Sequence, residues 1–219
     1  MQISAIVPAY NEEGWVGKTV EALKEIPEVF EIIVVDDGST DNTAFEAWDA
    51  GATVCRSSFN QGKSQALRDG TRIAKGDIFA FVDADLKESA LEVKKLISAI
   101  KKDEGDMIIA SIESTQKAGL GLVKSLAYWG IRYHTGKIMS TPLSGQRVLK
   151  RSMWESLKFQ SDGFASEVAL TIESIKKGYR VKEVPVDIKH RFRGNDYQSF
   201  FHRGNQFFSV LKLLMQNSF

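Results

Sequence analysis

Along this chain, short apolar runs closed by turn residues alternate with segments whose apolar residues recur at helical intervals, and that alternation constrains the fold more than any other feature. Ile3 to Val7 stops at Pro8, and Ile32 to Val35 stops at Asp36-Asp37-Gly38, so both read as buried strands. Between them Val16, Val20, Leu23 and Ile26 fall on one face of a helix over 12–26, with Asn11 as its N-cap and Pro27 just past its end. The same reading predicts a helix from Ser39-Thr40-Asp41 to Ala50, a strand at Thr53 to Cys55, a helix at Lys63 to Ala74 and a strand at Ile78 to Val82. A helix at Leu86 to Ile100 and a strand at Met107 to Ala110 complete the regular part. Such alternation builds a parallel, doubly wound sheet. After Glu113 the pattern loosens into a helix near Val123 to Arg132 and a strand closing at Val148. A helix at Phe164 to Lys176, a strand at Val181 to Ile188 and a last helix at Tyr197 to Gln216 follow.

At 219 residues with no linker-like stretch, the chain is expected to be one domain, with residues 1–110 as a nucleotide-binding-like half and 111–219 as an acceptor half. A formal charge of +1 provides no net field to attract nucleic acid, although basic residues cluster between Lys189 and Arg203. The single cysteine, Cys55, has no partner for an internal disulfide and reads as a buried strand residue, which fits a reducing compartment. No run is long and apolar enough for a membrane span, and the first residues lack a signal-peptide pattern. The expected location is the cytoplasm, at most peripheral to the inner face of the membrane.

In open α/β sheets, ligands bind beyond the carboxyl ends of the strands. Four of the predicted strand ends carry chemistry: Pro8-Ala9-Tyr10-Asn11-Glu12, Asp36-Asp37-Gly38-Ser39, Asn60-Gln61-Gly62-Lys63 and Asp83-Ala84-Asp85. Asp83 and Asp85, two residues apart after an apolar strand, offer hard oxygen ligands suited to Mg²⁺ or Mn²⁺, with a diphosphate supplying the rest. Taken alone, the same pair would also serve as a helix N-cap and a solvated turn residue; its company at the other strand ends favours the metal. Of Asp36 and Asp37, one is expected to be structural and the other to accept hydrogen bonds from a ribose or base edge, with Ser39 or Thr40 capping the next helix. Lys63, opening a helix after Gly62, is placed to meet a phosphate.

These four segments in this order resemble the family 2 glycosyltransferases, whose fold is the single-domain GT-A fold with a mostly parallel sheet flanked by helices. The resemblance covers most of the chain. It implies that Pro8, Ala9, Tyr10, Glu12 and one or both of Asp36 and Asp37 hold the nucleotide of a UDP- or GDP-linked sugar. It implies further that Lys63 lies near the base or phosphates, that Asp83 contacts the nucleotide-sugar and that Asp85 is the principal ligand of Mg²⁺ or Mn²⁺. Gly145, Gln146 and Arg147, in Pro142 to Arg147, and the segment Gly163 to Val168 resemble the family's acceptor side. Members that glycosylate 3-phosphoglycerate and members that glycosylate polyprenyl phosphates both use an acceptor bearing phosphate, which Arg147 and the basic cluster would bind. Asp187 to Arg191 resembles the segment from which some relatives offer a histidine to the metal, here His190. One departure stands out: polyprenyl-phosphate transferases often have Gln, Ser or His-Pro shortly after the paired acids, whereas this chain has Leu86-Lys87-Glu88.

Transfer of a glycosyl group leaves charge on a departing diphosphate, which Asp85 with its metal and Lys63 or Arg191 would stabilise. Glu167 is the candidate general base if the acceptor attacks through a hydroxyl, a glycan hydroxyl being the alternative to the phosphate-bearing acceptors; for a phosphate acceptor no base is needed and Glu167 positions, or only complements its helix dipole. Inversion at the anomeric carbon is the expectation. Phe200, Phe207, Leu211 and Leu214 give the last helix an apolar stripe for core packing or a homodimer contact, the alternative being an interfacial helix beside a membrane that carries a lipid-phosphate acceptor. Two other functional readings are weaker. A nucleotidyltransferase would carry a Gly-rich basic loop after its first strand, and a catalytically silent nucleotide-binding scaffold would have lost an acid of the Asp83/Asp85 pair.

Overall fold

The computed structural model describes residues 1–112, 121–157, 165–188 and positions 211 and 214. Among the described residues, seven strands form one sheet: β1 (Ile3–Ala9), β2 (Val29–Asp36), β3 (Thr53–Arg56), β4 (Ile78–Phe81), β5 (Met107–Ile112), β6 (Arg147–Lys150) and β7 (Val181–Val186). The helices are α1 (Val16–Lys24), α2 (Thr43–Asp49), α3 (Lys63–Ile73), α4 (Val93–Lys101), α5 (Gly121–Thr135), α6 (Arg151–Ser156) and α7 (Ser166–Lys176).

The sheet runs β3-β2-β1-β4-β6-β5-β7. Alternate residues of each central strand enter opposite faces, as the two-residue side-chain period requires. Ala5 and Val7, Ile32 and Val34, and Ile78 and Ala80 join a core with α1, α2 and α4. Ile6, Ile33 and Val35, and Phe79 and Phe81 join a second core with α3, α5, α6 and α7. Both faces being covered explains why these strands are apolar throughout rather than alternating.

The expectation of a parallel sheet holds for β1 to β4 and for β5 with β7. The exception that makes the sheet mostly and not wholly parallel is β6, which lies antiparallel between β4 and β5. That reversal brings residues 144–146, just before β6, to the end of the sheet where β1 and β4 finish.

Helix starts differ from the sequence reading. Asn11 does not cap α1: it has a positive φ of 53°, and its side-chain oxygen accepts from Thr40 N at 3.0 Å, tying two strand-end loops together. Trp15 takes the N-cap position without a side-chain bond. Neither Ser39 nor Thr40 caps α2, which starts at Thr43 after Asn42; Ser39 Oγ accepts instead from Asn11 N at 2.9 Å. The predicted helix over 86–100 is two pieces, a 3₁₀ segment at Lys87–Glu92 running into α4. Cys55 is only half-buried because β3 is an edge strand.

Candidate functional site

The chain proceeds from β1 outward through β2 to β3 and then returns to place β4 on the other side of β1. A crevice at the carboxyl ends of β1 and β4 follows from that switch in strand order. Ala9 to Glu12 stand on one side of it and Asp83 to Asp85 on the other. Pro8 and Ala9 are the last residues of β1, paired in register with Val35 and Asp36. Tyr10 is exposed and Glu12 is buried; Glu12 N donates to Thr43 Oγ1 at 2.8 Å.

Asp36 and Asp37 both take part in building the loops. Asp36 Oδ1 accepts from Ser39 N at 2.9 Å, and Arg56 Nε lies 3.0 Å from Asp36 Oδ2. Asp37 accepts from Gln61 N at 2.9 Å and Gly62 N at 2.7 Å, so it fixes the loop that leads into Lys63. Gly38 sits between them at φ 76°, and a Cβ there would lie 2.6 Å from the Phe59 carbonyl carbon, so the close approach of the two loops requires glycine. A nucleotide reaching either carboxylate would have to use the oxygen lone pairs left over from these bonds.

The paired acids after β4 divide their work. Asp83 Oδ1 accepts from Lys63 Nζ at 2.6 Å and Asp83 Oδ2 from Gln146 Nε2 at 2.6 Å. Lys63 Nζ also lies 3.4 Å from Glu167 Oε1, in the first turn of α7. Burial opposes the lysine charge, but the fields of Asp83 and then Glu167 outweigh it and hold the ammonium above its ordinary pKa. Gly145 closes the cluster: a Cβ there would run into Lys63 Nζ and come within 3.1 Å of Asp83 Oδ2. Lys63, Asp83, Gln146, Gly145 and Glu167, predicted from four separate segments, are thus one cluster.

Asp85 is half-buried on the turn that follows. Thr19 holds that turn: its buried hydroxyl donates to Ala84 O at 2.8 Å and accepts from Lys87 N at 2.8 Å. Sequence reasoning passed over Thr19, although a threonine inside the stripe Val16, Val20, Leu23 was the available signal. It also passed over Arg56, whose Nη2 donates to Ser39 O at 2.9 Å beside its pairing with Asp36.

Among the described residues, no three His, Cys, Asp or Glu side chains gather to hold a metal ion. The donor set still suits Mg²⁺ or Mn²⁺, ions commonly held by one or two carboxylates together with phosphate oxygens of a nucleotide and water. His190 and Arg191 lie outside the described residues.

Arg147 is where sequence and structure part. It is fully buried, donating through Nε to Ser144 O at 2.9 Å and through Nη1 to Thr171 Oγ1 at 3.0 Å. Burial pushes its guanidinium down to about 10, against the fields of Glu167 and Glu183. The side chain therefore braces the 144–146 segment against α7 from behind and does not face an acceptor. The physical reason is the side-chain alternation at the start of β6: Arg147 enters the face covered by α7, where Thr171 meets it, while Gly145 and Gln146 meet the crevice.

A switch-point crevice with paired acids after β4, inserted antiparallel β6 and a lysine-carboxylate cluster defines a glycosyltransferase of the GT-A fold, and the chain belongs to glycosyl transferase family 2, which its residues 4–165 match. It is 31% identical over 197 residues to an uncharacterized protein of Methanocaldococcus jannaschii, covering 84% of this chain and 80% of that protein. It is 30% identical over 214 residues to the dolichol-phosphate mannosyltransferase of Pyrococcus furiosus, covering 89% of this chain and 58% of that enzyme. The chain spans about half the length of other curated relatives with a named activity. The crystal structure of glucosyl-3-phosphoglycerate synthase from Mycobacterium tuberculosis, in complex with Mn²⁺, UDP and phosphoglyceric acid, superimposes with a TM-score of 0.80 at 25% identity, covering 98% of this chain and 78% of that one.

Proposed function

We infer that this glycosyltransferase moves a sugar from a UDP- or GDP-linked donor to an acceptor that bears phosphate, using a divalent metal ion at Asp85. The observation that carries the reading is the convergence of Asp83, Lys63, Gln146 and Glu167 at the switch-point crevice. Two relatives support the acceptor class: one is named for dolichol phosphate, and another was solved with phosphoglyceric acid.

In this reading Pro8, Ala9, Tyr10 and Glu12, with Asp36 and Asp37 behind them, form the wall against the nucleotide. Asp85 ligates the metal ion, with His190 a further ligand, and Arg191 adds positive charge. A bound Mg²⁺ or Mn²⁺ would neutralise charge on the departing diphosphate. Lys63, fixed in its charged state by Asp83 and Glu167, adds a second positive charge at the same place without a proton transfer. Asp83, oriented from both sides by Lys63 and Gln146, contacts the donor sugar. Gly145 leaves room beside it, and Gln146 and the segment braced by Arg147 shape the acceptor side. Glu167 takes the proton of an acceptor that attacks through a hydroxyl.

Release of UDP or GDP from a panel of nucleotide-hexoses, with Mn²⁺ and either 3-phosphoglycerate or a short polyprenyl phosphate, tests the reading. One donor and one phosphate-bearing acceptor should turn over together, and Asp85→Ala should abolish the reaction. Glu167→Gln then reports the attacking atom: kcat falls by about 10² to 10⁴ for a hydroxyl and changes little for a phosphate. Turnover with neutral glycan acceptors alone would overturn the phosphate-acceptor assignment.

A further inference from the structure

α5 carries two apolar stripes where one would suffice. Val123, Ala127 and Ile131 are buried in the core shared with α7. Gly130 is covered by Leu214, since a Cβ there would strike the Leu214 side chain, and His134 Nε2 lies 3.3 Å from Leu214 O. The second stripe starts at Leu122 and continues through the half-buried Leu126 to Trp129 and Tyr133, positions that recur at helical spacing on one side. Leu122 is 78% exposed, Trp129 60% and Tyr133 86%, and Ile138, just past the helix, is 62% exposed. Arg132 borders that stripe, the exposed Lys137 follows the helix end beside Ile138, and no acidic residue occurs between Gly121 and Ile138. The Arg132 guanidinium lies 5.3 Å from the Trp129 ring centroid.

We propose that this face of α5 docks the protein on an anionic lipid surface, with Leu122, Trp129, Tyr133 and Ile138 in the headgroup and acyl boundary and Arg132 and Lys137 against lipid phosphates. Charge decides the occupant. An acid-free face with two cations would set like charges against one another if two copies met through it, whereas an anionic bilayer complements them. Trp and Tyr favour that boundary because each joins an apolar ring to a polar edge, and the basic side chains extend their stems along apolar surface. The position is apt. α5 packs on α7, whose first turn holds Glu167, and the segment after α5 leads directly to Gly145 and Gln146. Docking by α5 therefore brings the acceptor side of the crevice beside the bilayer. The inference does not rest on the donor or acceptor proposed above, because vesicle binding needs neither.

The test is sedimentation of the full chain with vesicles of phosphatidylcholine alone or mixed with phosphatidylglycerol, without nucleotide-sugar. The protein should bind the anionic vesicles, detach as salt is raised and ignore the neutral ones. Trp129→Ser with Tyr133→Ser, and separately Arg132→Glu with Lys137→Glu, should each lower the partition coefficient about tenfold or more. Trp48→Ser, at an exposed tryptophan on α2, should leave it unchanged. Light scattering of the same variants provides the contrary outcome. If the chain is a dimer that Trp129→Ser with Tyr133→Ser converts to a monomer, and anionic vesicles bind neither form, the face belongs to a second copy and the proposal fails. Equal binding by all variants would also overturn it.

Discussion

Thr19→Val keeps the shape of the side chain and removes its two hydroxyl bonds to the Asp83-Ala84-Asp85 turn. In the native chain, Ala84 O and Lys87 N each meet the Thr19 hydroxyl at 2.8 Å, and Thr19 is fully buried. Valine leaves both backbone groups without this partner. At about 1 kcal/mol for each lost bond, the folded state weakens by about 2 kcal/mol, which for a chain of this size lowers the melting temperature by roughly 4 to 8 °C. The effect on function is larger than the effect on stability suggests, because Asp85 sits on the released turn. A shift of about 1 Å at a positioned group can cost on the order of 10² in rate. Differential scanning fluorimetry of the protein and initial-rate kinetics at a temperature well below the transition separate the two effects. Thr19→Ser, which keeps the hydroxyl, should recover most of the rate. If Thr19→Val melts with the parent and turns over at its rate, the turn is held by something else and the reasoning is wrong. A loss that Thr19→Ser fails to recover would point to the methyl group and to packing instead.

Gly145→Ala should lower kcat/KM by tenfold or more at nearly unchanged melting temperature, because the new Cβ displaces the flexible end of Lys63 from Asp83 rather than a core element; steady-state kinetics beside a melt checks this. Asp106, with Arg180 and Lys150 donating to it, is held well below the ordinary carboxylate range despite its partial burial. Its stabilising contribution is therefore complete above about pH 4, the unfolded value, and is lost as pH falls toward the lower folded value. Asp106→Asn should destabilise the protein at neutral pH and make its acid-unfolding limb shallower, measured by urea melts from pH 7 downward; an unchanged limb would remove Asp106 from the linkage.

The crevice was legible because the strand-end residues recur in order and each strand end points the same way. The unbroken apolar run of Ile32 to Val35 and the helical spacing of Val16, Val20 and Leu23 needed only local rules. Antiparallel β6 was not legible: Arg147 to Lys150 reads as a strand in either direction, and direction is set by where the long connection through α5 returns. Arg147 was read as an acceptor ligand from the resemblance of Pro142 to Arg147 to the family's acceptor side, and that resemblance does not tell which face of β6 the side chain enters. Asn11 and Ser39 were good N-cap residues by type, yet each accepts from a backbone N–H of the neighbouring loop instead of from a helix start. The predicted metal ligand His190 and most of the last helix fall outside the described residues, but Leu214 packs on the core, as the core-packing reading of that helix requires.

The central claim is that the β1–β4 crevice binds a nucleoside diphosphate through a metal ion at Asp85. Isothermal titration of UDP and of GDP into the protein with Mn²⁺, repeated in EDTA and with Asp85→Ala, tests it most directly. The account predicts saturable binding of one of the two nucleotides with Mn²⁺, its loss in EDTA and in the variant, and an unaltered melting temperature of the unliganded variant. Binding that is indifferent to EDTA and to Asp85→Ala, or no binding of either nucleotide at millimolar concentration, would contradict it.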